Sequence, residues 1–193
     1  MESVCVYCGS ADNMDPVYLD AAYEMGAAIA ERGLRLIYGA GSTGLMGAVA
    51  DGALGSGGEV IGVIPKLFNT PTLAHSKLSH LEVVEDIHVR KARMIELAEA
   101  FIALPGGFGT LEELFEVLTW AQIGLHQKPI GLLNTRNYFN SLLTFVAHAR
   151  GEGFIYDEHQ KLFTHTNLPE VLLNALATYK QPSGLDRWLT RKG

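Results

Sequence analysis

The chain has 193 residues, 48% of them hydrophobic and only 19% charged, with a formal net charge of −6. That length and apolar content predict one domain with a sizeable core and exclude a disordered chain, which buries too little apolar surface to offset its ordering entropy. The acidic balance excludes a broad nucleic-acid-binding face, and no apolar run reaches the roughly 18–20 residues of a membrane span.

One small anionic ligand in a local site stays compatible with that charge. The start, Met1-Glu2-Ser3-Val4, lacks the basic segment and long apolar stretch of a secretory signal, so the expectation is a cytoplasmic protein without a membrane partner. Glycine is in surplus: 21 residues, about 11% against an average near 7%. Dispersed glycine weakens a chain, so its placement matters.

Short apolar runs alternate with amphipathic stretches, which predicts an α/β fold: a doubly wound, Rossmann-like sheet, mostly or wholly parallel, with helices on both faces. Strands are expected at 4–8, 34–38, 60–64, 81–84, 100–104 and 129–133, with an edge strand around 161–163. Runs such as Val60-Ile61-Gly62-Val63-Ile64 are apolar throughout, as in a sheet covered on both sides. Helices are expected at 16–32, 45–56, 87–98, 111–123, 138–150 and 169–179. Asp15-Pro16 is a start signal and Gly33 a stop signal. The domain spans 1–180, and 181–193 reads as a surface tail with a basic end. Cys5 and Cys8 are the two cysteines. Three apart on a strand they point to opposite faces, which favours two reduced core thiols over a redox or zinc pair.

In such sheets ligands bind beyond the carboxyl ends of the strands. Glycines gather there: Cys8-Gly9-Ser10 ends the first strand, Gly39-Ala40-Gly41-Ser42-Thr43-Gly44 the second, and Pro105-Gly106-Gly107-Phe108-Gly109-Thr110 the fifth. Three such turns at one edge predict a backbone cradle for a phosphate, in which amides of Gly107–Thr110 and of the Gly41, Ser42 and Gly44 turn reach the oxygens and Ser10 stands beside them. No G-x-G-x-x-G or Gly-Lys-Ser/Thr pattern accompanies them, which argues against NAD and ATP chemistry.

The third turn runs into Thr110-Leu111-Glu112-Glu113. Spacing alone reads this as a capping box with Thr110 at the N-cap. The competing reading makes Glu113 a functional carboxylate that activates water or stabilises a developing cation. A second constellation is His88-Val89-Arg90-Lys91-Ala92-Arg93-Met94. Arg90 and Lys91 flank the apolar stripe of that helix, either as snorkelling stems or, since the helix begins at the glycine-rich edge, as donors to Glu113 or to a ligand. Thr119 stands six residues beyond Glu113, where packing and ligand contact fit equally. The seven histidines show no metal-ligand spacing, and Ser10 and Ser42 lack a base partner.

The segment Pro105-Gly106-Gly107-Phe108-Gly109-Thr110-Leu111-Glu112-Glu113 resembles the P-G-G-x-G-T-x-x-E signature of the LONELY GUY family, and the Arg90-Lys91 segment is similar to its second motif. The resemblance runs from Val4 to about residue 180. It implies a cytokinin riboside 5′-monophosphate phosphoribohydrolase, which cleaves the N-glycosidic bond of a nucleoside 5′-monophosphate without metal or organic cofactor. It further implies Arg90 and Glu113 as the catalytic pair. Lys91, Gly107, Phe108, Gly109, Thr110, Leu111, Glu112 and Thr119 would line the substrate site of a homodimer. Members are often labelled lysine decarboxylases, but no lysine here is marked for pyridoxal phosphate. Two positions depart from the pattern: Ala40 stands where relatives often carry glycine, and Thr72 where many carry a substrate-contacting glutamate. A general nucleoside 5′-monophosphate nucleosidase and a nucleotide or molybdenum-cofactor carrier are the competing readings.

Overall fold

The computed structural model describes residues 1–185. Strand β1 (Ser3–Tyr7) leads into helix α1 (Pro16–Glu31), β2 (Arg35–Tyr38), α2 (Gly44–Gly55), β3 (Val60–Pro65) and β4 (His80–Val84). Then follow α3 (Ile87–Leu97), β5 (Ala100–Ala103), α4 (Phe108–Gln122), β6 (Ile130–Leu133), α5 (Asn140–Gly151), β7 (Phe163–Thr166) and α6 (Pro169–Ala177). The strands form a parallel sheet in the order β4-β3-β2-β1-β5-β6-β7. This is the predicted doubly wound architecture. The chain winds from β1 out to β4, then returns to the other side of β1 with β5, so the switch point lies between β1 and β5.

Strands β1, β3, β5 and β6 are buried along their whole length, which explains their unbroken apolar runs. One core layer lies beneath α1, α2 and α6 and includes Cys8; the opposite layer, against α3 and α4, includes Cys5. Both cysteines are free and buried, and their alternation across β1 matches the two-residue period of a strand. Helices α1 and α2 cross at backbone contact distance. A Cβ on Gly26 would stand 2.0 Å from the Val49 carbonyl oxygen, and one on Gly52 the same distance from that of Tyr23. Part of the glycine surplus therefore serves helix packing away from the ligand edge.

Local start signals act as expected. The Asp15 carboxylate accepts from the Val17 N–H, with Pro16 in the first turn, and Asp86 accepts from the N–H groups of His88 and Val89 at the start of α3. Most boundaries fall within one or two residues of expectation, and three of the differences have a local cause. The edge strand is Phe163–Thr166, because residues His159–Leu162 form a 3-10 turn that delays pairing with β6. Helix α4 begins three residues early, at Phe108. Helix α5 begins late, after a 3-10 turn at Thr135–Asn137 in which Arg136 and Asn137 take positive φ. Leu185 is buried in the α3/α4 layer; the basic end of the expected tail, from Arg187 to Lys192, lies outside the described residues. Among the described residues no helix is long and apolar enough to cross a membrane.

Candidate active site

A cavity of about 350 Å³ opens over the carboxyl ends of β1, β2 and β5, where Cys8-Gly9-Ser10, Gly39 and the turn before α4 come together. Arg90, Lys91 and Met94 of α3 form one wall; Gly107, Gly109, Thr110, Glu112 and Glu113 form the other. An adjoining lobe shares Ser10, Gly39, Met46 and Arg90 and continues to Gly41, Ile64, Phe68 and Leu73.

The capping-box reading of Thr110 is overturned. Gly107 is the N-cap, with extended φ/ψ and no side-chain cap bond. Thr110 is instead the third helical residue, packed under the turn: a Cβ on Gly106 would stand 2.1 Å from its Oγ1. The first turn of a helix leaves its N–H groups without helical partners. Among the described residues no protein acceptor takes those of Gly107, Phe108, Gly109 or Thr110. This end of α4 is an uncapped cluster of donors with the positive end of the helix dipole behind it. The early start also moves Glu113 away from the N-cap. It is the sixth helical residue, about 7.5 Å along the axis from Phe108 at 1.5 Å per residue. It lies on the face of Gly109 and Thr110, one turn on. A carboxylate there does not crowd an anion at the helix end, but stands from it by about the reach of a sugar.

Arg90 and Glu113 meet in the cavity. Arg90 Nη1 lies 3.6 Å from Glu113 Oε1, and both side chains are largely buried. Arg90 Nε donates to the Val63 carbonyl, 3.2 Å away, which fixes the guanidinium across the end of β3. Gly39 makes the room: a Cβ there would stand 1.6 Å from Arg90 Nη2. Burial raises the Glu113 carboxyl; the Arg90 charge opposes this but only in part, and the group reaches about 7. A carboxylate tuned to neutrality is what general-base work at physiological pH requires.

Lys91 Nζ is bonded to Glu112 and, at 3.1 Å, to Glu116, bracing α3 against α4. Burial pulls its ammonium downward, yet the two carboxylates outweigh that and hold it above its ordinary range. Glu112 is thereby occupied with Lys91. The Cys8 thiol on the cavity floor is pushed well up by burial and then by Glu113, so it stays protonated.

The second glycine turn is tied to its neighbours at several points. The Ser42 N–H donates to the Leu73 carbonyl and its hydroxyl to that of Thr72. Thr43 Oγ1 donates to the Ser10 carbonyl, and the Met46 N–H to that of Gly9. Gly44, at φ +58°, lets the Ala11 carbonyl approach where a Cβ would stand 2.6 Å away. Gly41 pairs with Ala74 and lines the adjoining lobe. The Ser42 and Met46 amides are thus spent on the 69–75 loop and the first turn. Ala40 adopts φ +61°, a conformation glycine takes without strain.

Of the remaining expected residues, Ser10 lines both lobes, whereas Leu111 and Thr119 line neither. Phe108 points outward and is 94% exposed. Sequence reasoning missed Gly39, whose signal was only its membership of a glycine-rich turn, and the lining side chains Met46, Ile87 and Met94.

Residues 46–176 match the family model described as "Possible lysine decarboxylase". The chain is 46% identical over 175 residues to a probable cytokinin riboside 5′-monophosphate phosphoribohydrolase of Oryza sativa subsp. japonica, covering 91% of this chain and 83% of that protein. It is 54% identical over 155 residues to the cytokinin riboside 5′-monophosphate phosphoribohydrolase of Rhodococcoides fascians, covering 80% and 78%. Among solved structures, the molybdenum cofactor binding protein of Rippkaea orientalis superposes with a TM-score of 0.71 at 22% identity, covering 92% of this chain and 96% of that one. That likeness concerns the fold. A decarboxylase working through an imine needs a lysine that readily loses its proton, and the cavity's Lys91 is held charged by two carboxylates. On matched length and identity, the chain belongs to the LONELY GUY family, to which the lysine-decarboxylase label has been attached.

Proposed function

We infer that the chain hydrolyses the N-glycosidic bond of cytokinin riboside 5′-monophosphates, releasing the free base and ribose 5-phosphate. The relatives of 44–54% identity carry that activity in their names. The observation that carries the reading here is the buried Arg90–Glu113 pair, one helical turn beyond the uncapped end of α4.

The 5′-phosphate accepts from the free amides of Gly107–Thr110 with the α4 dipole behind them. The ribose then extends along the helix toward Glu113. As the C1′–N bond breaks, the sugar takes on oxocarbenium character. The Glu113 carboxylate lies in a low-dielectric setting where it stabilises that cation strongly. It also accepts a proton from the attacking water, whose oxygen bonds to C1′. The departing base takes up a proton from solvent as its nitrogen leaves, and Glu113 returns to solvent the one that it took from water. Arg90, pinned to Val63, orients Glu113 and offers a fixed positive charge beside the bond being broken. Water is the co-reactant. Ser10 borders the cavity on the β1 side and Lys91 holds the α3 wall in place.

A second reading, a nucleosidase for AMP or nucleoside 5′-monophosphates in general, is favoured by the 69–75 loop. Thr72 there sets a hydroxyl against Thr70 Oγ1, 3.2 Å away, where many family members carry a carboxylate. A hydroxyl supplies weaker, uncharged selection among bases and sugars. Two further elements belong to the proposal. The chain works as a homodimer, supported by the apolar side chains that α3 and α4 leave exposed. It works in a reducing compartment, supported by its two free thiols.

Chromatography of products from isopentenyladenosine monophosphate, AMP, GMP, CMP and unphosphorylated adenosine tests the reading. Release of base with ribose 5-phosphate from the first, and little from adenosine, is expected. Equal turnover of adenosine contradicts a phosphate-anchored site, and turnover of AMP, GMP and CMP alike establishes the broader nucleosidase.

A further inference from the structure

The amides that meet the phosphate belong to a flexible sequence, Pro105-Gly106-Gly107, in which two consecutive glycines leave the backbone free to rotate. Something must hold that peptide in one orientation. The turn is tied to the one that follows β1 by the Gly9 N–H, which donates to the Pro105 carbonyl at 3.1 Å. The next carbonyl, that of Gly106, accepts from the Tyr138 hydroxyl at 2.7 Å, across 32 residues of chain. Among the described residues no peptide bond is cis. In a trans peptide the C=O and the N–H of one plane point in opposite directions. A Gly106 carbonyl drawn toward Tyr138 therefore turns the Gly107 N–H to the other side. Tyr138 does not line the cavity, whereas Gly107 does.

The loop carrying Tyr138 is built to hold it there. Arg136 and Asn137 immediately before it take φ of 50° and 60°, left-handed conformations that cost a non-glycine residue free energy and persist only where the surroundings over-determine them. Three restraints supply that. Arg136 pairs with Asp15, the N-cap of α1. The Asn134 side chain accepts from the Phe139 N–H at 2.7 Å and donates to Asn140 at 2.9 Å. The Tyr138 ring packs edge-on against Tyr18 of α1 and against Phe139.

We propose that Tyr138 is a positioning residue for phosphate recognition: its hydroxyl, braced by the strained β6–α5 loop, locks the Gly106–Gly107 peptide so that the Gly107 N–H faces the substrate phosphate. This rests on the phosphoribohydrolase reading above. Tyr138 touches no substrate atom; it acts through the backbone it orients. Its contribution appears in binding of the phosphate, with the chemical step at C1′ left to Arg90 and Glu113.

The test compares full-length wild type with Tyr138→Phe, which keeps the ring and removes the hydroxyl. Calorimetric titration with ribose 5-phosphate and with inorganic phosphate reads the anion site directly. Loss of one orienting hydrogen bond is expected to weaken both by about five- to tenfold. KM for the nucleoside 5′-monophosphate rises by a similar factor, and kcat stays within about twofold. The residual rate on the unphosphorylated nucleoside is unchanged. Unaltered phosphate affinity in Tyr138→Phe overturns the proposal. So does an equal loss on nucleotide and nucleoside, or a fall in kcat alone, since either marks a general structural role. A wild type that binds ribose 5-phosphate but cleaves no nucleotide refutes the phosphoribohydrolase reading, while the calorimetric comparison still decides the role of Tyr138.

Discussion

The proposed chemistry rests on one buried carboxylate, Glu113. Burial lifts it to about 7 against the partial opposition of Arg90, so its protonation bears on both rate and stability. In the proposed mechanism the ionised form activates water, so kcat/KM is expected to fall about tenfold per pH unit below an acidic limb near 7. Glu113→Gln keeps nucleotide binding and lowers turnover by about 10²–10⁴-fold, the usual scale for a positioned acid–base group; a variant that remains active removes Glu113 from the mechanism. Stability carries the opposite sign from an ordinary ion-paired carboxylate. The folded group is raised above its free value of 4.5, so the folded state binds the proton more tightly. Wild type then loses stability as pH climbs from about 4.5 to about 7 and levels off above. The Gln variant lacks that loss. Denaturant titrations should show it gaining on wild type across this window, by on the order of 3 kcal/mol in all. Gly39 gives a second prediction at this scale. Its φ is ordinary but its missing Cβ holds the Arg90 guanidinium. Gly39→Ala is expected to displace that flexible side chain, sparing thermal stability and lowering kcat by about 10–10²-fold, as misplacement of a catalytic group does.

At the scale of elements, the site depends on where helices begin. Thr-x-x-Glu is a sound local signal for a helix start, yet α4 starts at Phe108 and leaves its end uncapped. The two preceding glycines allow the early start. Gly106 accepts the close approach of the buried Thr110 side chain, and Gly107 takes the extended cap conformation. An empty cap costs stability in isolation; here it keeps donors free for an anion. The other two turns look alike in sequence and differ in use: the Gly39–Gly44 turn spends its Ser42 amide on the 69–75 loop. Outside the site, the α1–α2 crossing shows glycine in a purely structural role. Gly52→Ala would set a methyl carbon 2.0 Å from the Tyr23 carbonyl oxygen. Backbone cannot yield there as a side chain can. Loss of about 2–3 kcal/mol is expected, read as a lower denaturation midpoint with catalytic constants preserved in the remaining folded protein.

For the whole molecule, the parallel sheet brings three strand ends to one edge and places the switch point between β1 and β5 beneath the cavity. Helices α3 and α4 contribute Arg90 and Glu113 inward and leave Val89 and Phe115 exposed. Exposed apolar side chains such as these are where the proposed dimer contact is to be sought. Light scattering is expected to give twice the chain mass, and Phe115→Glu to shift it toward the monomer; a wild type that stays monomeric at micromolar concentration rejects the dimer. The net charge of −6 is consistent with this economy. The proposed anion site is built from backbone amides rather than a basic surface, and the Arg90 and Lys91 cations are both paired with carboxylates.

The amino-acid sequence by itself determined the alternation of strands and helices, the opposite faces of Cys5 and Cys8, and the two segments that carry Arg90 and Glu113. These follow from period, local start signals and motif, which neighbouring residues encode together. Tertiary structure alone decided which glycines face a ligand and which a neighbouring helix, where α4 begins, that Gly39 makes room for Arg90, and that Tyr138 reaches the Gly106 carbonyl. Apart from the start of α4, which the adjacent Gly106 and Gly107 allow, each of those rests on atoms brought together from distant parts of the chain. A glycine records that space is needed, but only the packed sheet shows what occupies it.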